Sequence, residues 1–212
     1  FSAGSIAGDH SKCSNQTPNT LTSASLATTD ISSVTLAYVW QTATNAAFTQ
    51  NLLTTAVTSS NYVFSSSIAT TTFFRRKVTA SLSGVSSFSY SNAVLVTIAQ
   101  NFSLSLTTNN AVSNNTFVAG SNIEIEASSD QNGLTYNFSV GATNFKTITP
   151  AGATASFTAS GADLNVLTGQ GVLKVTANSG AGICVKDTSI PFTIFDFTPG
   201  SIGGSAPVCL GV

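Results

Sequence analysis

Apolar and polar residues alternate with a period of two along most of the chain, and helical spacing is scarce. In the first half the strongest strand signals are residues 34–41 (VTLAYVWQ), 72–80 (TFFRRKVTA) and 90–98 (YSNAVLVTI). In the second half they are 102–106, 122–127 (NIEIEA), 134–140 (LTYNFSV), 154–158, 172–177 (VLKVTA) and 191–197. Ser, Asn and Gly clusters punctuate these runs at roughly 8–12-residue spacing, as in an all-β sandwich. Alternation sends Ile123 and Ile125 to one face and Glu124 and Glu126 to the other. It likewise separates Arg75 and Lys77 from Arg76. The pattern predicts an all-β chain of two tandem immunoglobulin-like β-sandwich domains, 1–99 and 100–198, divided near residues 99–101.

A phrase near the start returns near the end. Residues 3–13 read AGSIAGDHSKC, and residues 199–209 read PGSIGGSAPVC. Gly4, Ser5, Ile6, Gly8 and Cys13 recur at one constant offset as Gly200, Ser201, Ile202, Gly204 and Cys209. This predicts a tandem array, with one full period here and residues 199–212 opening the next. Such repeats serve length, valency or display more often than a single chemistry. The short stretches between strand series predict a semi-rigid rod. The chain begins at Phe1 and contains no Met, as expected of a processed or excised piece.

Hydrophobic residues make up 42% of the chain, ample for a core, while charged residues are only 7%, against about 25% in ordinary domains. That balance argues against disorder. The net charge of −1 leaves no footprint for nucleic acid. The halves differ in sign: Lys12, Arg75, Arg76 and Lys77 outnumber Asp9 and Asp30, whereas the second half is acidic. Opposite signs could assist contacts between neighbouring repeats, or the charges are simply solvated. No apolar run approaches the ~20 residues of a membrane helix, so no membrane insertion by this segment is expected.

The first half resembles the immunoglobulin-like repeats of giant Bacteroidota cell-surface adhesins, the SprB-type gliding-motility adhesins among them. The resemblance rests on the opening phrase from Gly4 to Cys13, on Tyr38-Val39-Trp40-Gln41, on Phe73-Phe74-Arg75-Arg76 and on Tyr90-Ser91-Asn92. The second half resembles the companion modules more loosely, through VTANSGAGIC. The resemblance implies type IX secretion and an extracellular place on the bacterial cell surface. It also implies cell adhesion. Family members often carry a second Cys shortly before the Tyr-Ser-Asn strand. Ser86 and Ser87 stand there in this chain, so Cys13 lacks that partner.

Three cysteines leave one over. The repeat suggests that Cys184 bridges to Cys209, the next period's copy of Cys13, so that a disulfide staples each period boundary. A Cys13–Cys184 bridge and three buried thiols are the alternatives.

Catalytic chemistry is not expected. His10 is the only histidine, it sits beside Asp9 in a Gly-flanked turn, and Ala206 replaces it in the next period. One histidine without closely spaced cysteines gives no zinc ligand set. Asp130-Gln131-Asn132-Gly133 has partial calcium-loop character but lacks the alternating ligands and closing Glu. It reads first as a hairpin turn. No cofactor is expected; calcium held by Glu124, Glu126 or Asp196 is the residual metal reading. Trp40 reads as core. The Arg75–Arg76–Lys77 cluster reads as a solvated strand face or a partner for an acidic neighbour, with an anionic polysaccharide as the weaker alternative. Asn15, Asn101, Asn114 and Asn137 open Asn-x-Ser/Thr sequons, which chance supplies in so Ser/Thr-rich a chain.

The reading is a repeat module of a long adhesin filament, structural and adhesive, supporting attachment and gliding. Its expected partners are neighbouring repeats of the same chain and an external substratum or polysaccharide. The rival is a carbohydrate-binding module of a secreted polysaccharide-active protein. That would need exposed aromatics, for which Tyr62 and Tyr136 are the test positions.

Overall fold

The computed structural model describes residues 1–111, 113–160, 162–179 and 182–195. The chain divides into two compact units. The first is Phe1–Phe102 with Asn178–Val185; the second is Ser103–Ala177 and the chain from Lys186 onward. The division after Phe102 lies three residues past the expected one, and the second stretch interrupts the simple order 1–99, 100–198. Residues 199–212 lie outside the described residues.

The strands of the first unit are β1 (Ser5–Ala7), β2 (His10–Cys13), β3 (Thr22–Ser25), β4 (Thr35–Ala43), β5 (Leu53–Thr54), β6 (Thr72–Leu82), β7 (Val85–Tyr90) and β8 (Val94–Ala99). One sheet runs β2-β8-β6-β4-β5 with β7 also paired to β6, and the second is β1-β3. The first-half strand β2 pairs parallel to the last strand, β8, and the other pairs are antiparallel. A bridge between Leu21 and Tyr62 adds the loop after β5 to the smaller sheet. This is the connectivity of an immunoglobulin-like sandwich. Ile6 and Leu21 meet Trp40, Phe74, Val94, Val96 and Ile98 across the core. Phe74, Arg76 and Val78 in the middle of β6 and every second residue of β8 are buried, so the period-two pattern builds this interior.

The second unit holds β9 (Ser105–Asn109), β10 (Thr116–Val118), β11 (Ile123–Ser128), β12 (Thr135–Val140), β13 (Thr143–Ile148), β14 (Thr154–Ala159), the short helix α1 (Ala162–Val166), β15 (Gln170–Asn178) and β16 (Val185–Phe195). Its sheets run β14-β11-β9 and β10-β16-β15-β12-β13. β10 pairs parallel to β16, repeating the β2–β8 arrangement. The fold class is therefore all-β, with two sandwiches of one topology. Ile123, Ile125 and Ala127 of β11 are buried, as are Tyr136, Phe138, Leu173 and Val175. Glu124 and Glu126 face outward.

The repeated opening phrase has a physical reason at each position. Gly4 has φ +68, and a Cβ there would stand 2.4 Å from the Ser25 carbonyl oxygen. Only glycine fits such a left-handed residue against another backbone. The Ser5 amide donates to Ser25 Oγ at 2.8 Å, and Ile6 enters the core. Gly8 has φ +123 beside Leu21, and Cys13 is bridged.

The run from residue 90 to 98, expected as one strand, is broken between Tyr90 and Val94. Asn92 causes the break. Its Oδ1 accepts the Ile6 N–H at 2.8 Å, and its Nδ2 donates to the Ile6 carbonyl at 2.9 Å. The amide thus acts as a strand partner for β1. Ser91 Oγ accepts the Arg76 N–H at 3.0 Å.

Arg76 is fully buried. Its guanidinium donates to Ser23 Oγ, to the Ser60 carbonyl at 2.9 Å, to the Ala3 carbonyl at 2.9 Å and to the Ser25 carbonyl at 3.1 Å. It lies 4.9 Å from the Tyr38 ring centre. Burial lowers its pKa from the ordinary arginine value, opposed by Tyr38. The expectation of a solvated cluster fails here, because the segments around Arg76 present oxygens that the β4–β6 sheet alone leaves without donors. Arg76→Met should destabilise the first unit by about 3 kcal/mol or more, since each orphaned buried acceptor costs about 1–3 kcal/mol. Denaturant unfolding followed by Trp40, the chain's single tryptophan, reads this directly.

Candidate functional site

The outer face of the larger sheet in the first unit carries the most distinctive exposed chemistry. With Arg76 turned inward, alternation along β6 turns Arg75 and Lys77 outward. Lys77 stands opposite Tyr90, and Thr79 opposite Phe88, across the β6–β7 pair. Phe88 is 55% exposed and Tyr90 37%. Their rings meet edge to face at 5.5 Å.

Arg75 is a held cation. Its guanidinium carbon lies 3.7 Å from the Tyr90 ring centre and 4.2 Å from that of Phe48. Its Nε donates to Gln41 Oε1 at 2.9 Å. Phe48 reaches this place from a tight loop in which Asn45 Oδ1 accepts the amides of Thr49 and Gln50 at 3.0 and 3.1 Å. Phe48 itself adopts φ +56, unusual for a non-glycine residue. Lys77 Nζ lies 4.3 Å from the Phe88 ring centre. The ion pairs among the described residues are Lys146–Asp163 and Lys174–Asp187. Neither Arg75 nor Lys77 takes part in one.

The other residues singled out in the sequence are occupied structurally. Trp40 is fully buried, its Nε1 donating to the Ser59 carbonyl at 2.9 Å. Tyr62 packs edge-on against Trp40 at 5.4 Å. Tyr136 is fully buried and donates to the Ala153 carbonyl at 2.5 Å. Burial raises the pKa of both phenols. Neither tyrosine is a sugar platform; Phe88 and Tyr90 occupy the exposed positions instead. Phe88, absent from the residues singled out in the sequence, has one signal there: it alternates with Tyr90 along one strand.

His10 Nδ1 lies 2.5 Å from the Gly8 carbonyl, and its Nε2 accepts the Asn19 N–H at 3.0 Å. Asp9 Oδ1 accepts the Leu95 N–H at 2.7 Å. The pair that raised the question of catalysis therefore fastens backbone.

The cysteines require a correction. Cys184 is bridged to Cys13, with Cα atoms 5.4 Å apart, and Cys209 lies outside the described residues. Residues 178–185 belong to the first unit. Ser179 shapes this turn: its Oγ accepts the Cys184 N–H and its own N–H meets the Cys184 carbonyl, each at 2.9 Å. The repeat points to Cys209, with Cys13 as the alternative, because sequence alone does not reveal that Cys184 meets the end of β2.

Asp130 to Gly133 is not a hairpin turn. It connects β11 and β12, which lie in different sheets. Asp130 Oδ1 accepts the Ser103 N–H at 2.7 Å. Among the described residues no group of three or more His, Cys, Asp or Glu side chains is placed to hold a metal ion. Asp196 lies outside them. No described helix is long and apolar enough to cross a membrane.

A domain family of unknown function (DUF8696) matches residues 2–100. No curated protein matches the chain. Among solved structures, the fibronectin(III)-like modules of CbhA from Clostridium thermocellum share 14% identity, with a TM-score of 0.39 over 92% of this chain and 91% of that one. Murine CEACAM1b shares 10% identity, with a TM-score of 0.41 over 90% of this chain and 99% of that one.

The Ser103 N–H, then side-chain hydrogen bonds, holds the Asp130 carboxyl below its ordinary value of 3.8. A lowered carboxylate pKa stabilises the fold above the unfolded value and ceases to do so as pH falls through the folded one. Asp130→Ala should therefore be less stable than the parent near neutral pH. The difference should close below about pH 4, as checked by thermal unfolding across pH.

Proposed function

We propose that the chain is one period of a long secreted adhesin filament on a bacterial surface, in which paired immunoglobulin-like sandwiches carry tension between the cell and a substratum. The Cys13–Cys184 bridge carries this reading. It spans 171 positions, and the two bridged residues flank nearly all of the strands. Tension entering before β2 and leaving along β16 passes through the sulfur–sulfur bond. The chain between the cysteines is outside that path and cannot be drawn out while the bond stands.

Two further observations support the reading. The repeated phrase contains the glycine, serine, isoleucine and cysteine that open the first sandwich, so its return near residue 200 fits another sandwich opening in the same way. The resemblance to Bacteroidota adhesin repeats supports type IX export, a surface location and a part in gliding attachment. Many weak contacts along such an array add up through avidity. Neighbouring repeats and the substratum are the partners on this account. A disulfide also suits an oxidising, extracellular setting.

Closing so long a loop should stabilise the fold by about 5 kcal/mol on chain-entropy grounds. Pulling the oxidised protein by its two ends in a single-molecule force experiment should extend only the segments outside the bridge. After reduction, or in the double variant Cys13→Ser/Cys184→Ser, unfolding should release a further length of about 600 Å, at about 3.5 Å per residue. Release of that length from the oxidised protein would refute the tension-carrying role.

A further inference from the structure

We infer that the outer face of the larger sheet in the first unit binds an anionic polysaccharide bearing carboxylates, a uronate polymer. This deepens the adhesive reading and rests on it, by naming what the filament grips.

The cations on this face form no ion pair among the described residues. The first sandwich contains only two carboxylates, Asp9 and Asp30. Asp9 is committed to the Leu95 amide, and neither forms an ion pair with Arg75 or Lys77. Two cations without an ion-pair partner among the described residues stand on one strand face, about 7 Å apart from the rise of a strand.

Arg75 is also fixed before any ligand arrives. Phe48 and Tyr90 both pack against it, and Gln41 takes its Nε–H. An arginine already ordered loses little side-chain entropy on binding. Its remaining planar donors suit the two oxygens of a carboxylate.

The rings supply the other half of the recognition. Phe88 and Tyr90 present exposed aromatic surface beside the cations. A uronate ring has an apolar C–H face to lie on such a surface and a carboxylate at its rim. A neutral glucan would satisfy the rings and leave the cations bare. A small anion would satisfy the cations and leave the rings bare. The uronate polymer meets both, and its repeat lets successive rings of one chain engage Arg75 and Lys77.

The test is titration of the oxidised full chain with polygalacturonate, with dextran and dextran sulfate as comparison polymers, at low and high salt. Polygalacturonate should bind with an affinity that falls as salt rises, and dextran should not bind. The double variant Arg75→Gln/Lys77→Gln should bind about tenfold or more weakly, and Tyr90→Ala about threefold or more weakly. Lys12→Gln, a cation elsewhere in the same unit, should bind as the parent does. Thermal unfolding identifies any variant that fails to fold, and the remaining variant then carries the test. Absence of polygalacturonate binding, equal binding by the double variant, or tighter binding of dextran sulfate would overturn the proposal. The force measurement is independent: short extension of the oxidised protein without polygalacturonate binding would remove the ligand and leave the filament reading standing.

Discussion

Arg76 is the residue on which the first sandwich turns. A guanidinium enclosed without a carboxylate is costly unless its donors are met. Here oxygens of Ala3, Ser23, Ser25 and Ser60 meet those of both terminal nitrogens, while the buried Nε–H has no hydrogen-bond partner among the described residues. These come from the segment before β1, from β3 and from the loop after β5, none of which pairs with β6. One side chain therefore ties the irregular parts of the smaller sheet to the centre of the larger one. β1, β3 and the bridge at Leu21 are short, with few ladder bonds of their own. The same inward turn forces Arg75 and Lys77 outward, so the buried cation sets the position of the exposed ones.

The Cys13–Cys184 bridge acts at a different level. Arg76 organises a core, whereas the bridge decides which parts of the chain can be pulled. Its partner segment lies between β15 and β16 yet belongs to the first unit. A bridge confined to neighbouring sequence would protect one turn. One that spans most of the strands makes the covalent skeleton from end to end much shorter than the chain. In the filament proposed above this would limit lengthening under load, by connectivity rather than by the strength of any hydrogen-bonded sheet.

Much of the fold was legible because burial follows the period-two pattern. β4, β6, β11, β12 and β15 fall close to their expected runs, and Trp40 is core. The short strands β1, β5 and β10 were not legible, since two to three residues carry too little pattern. β13 was passed over although it is a full strand: it is an edge of its sheet, and none of its side chains is fully buried. The break at Asn92 depends on a partner far off in sequence, Ile6. The candidate site was half visible. Alternation separated Arg75 and Lys77 from Arg76 correctly, but the charge of Arg76 suggested solvent, and only the converging carbonyls explain its burial. Tyr62 and Tyr136 were candidate sugar platforms by residue type alone; their rings close the cores instead.

The covalent path through this chain bypasses most of its residues. Peptide mapping of the non-reduced protein by mass spectrometry tests it most directly. The bridge should yield a cross-linked pair of peptides, one containing Cys13 and the other Cys184, that separates on reduction. A Cys184–Cys209 cross-link with Cys13 free would contradict it, as would three unmodified thiols.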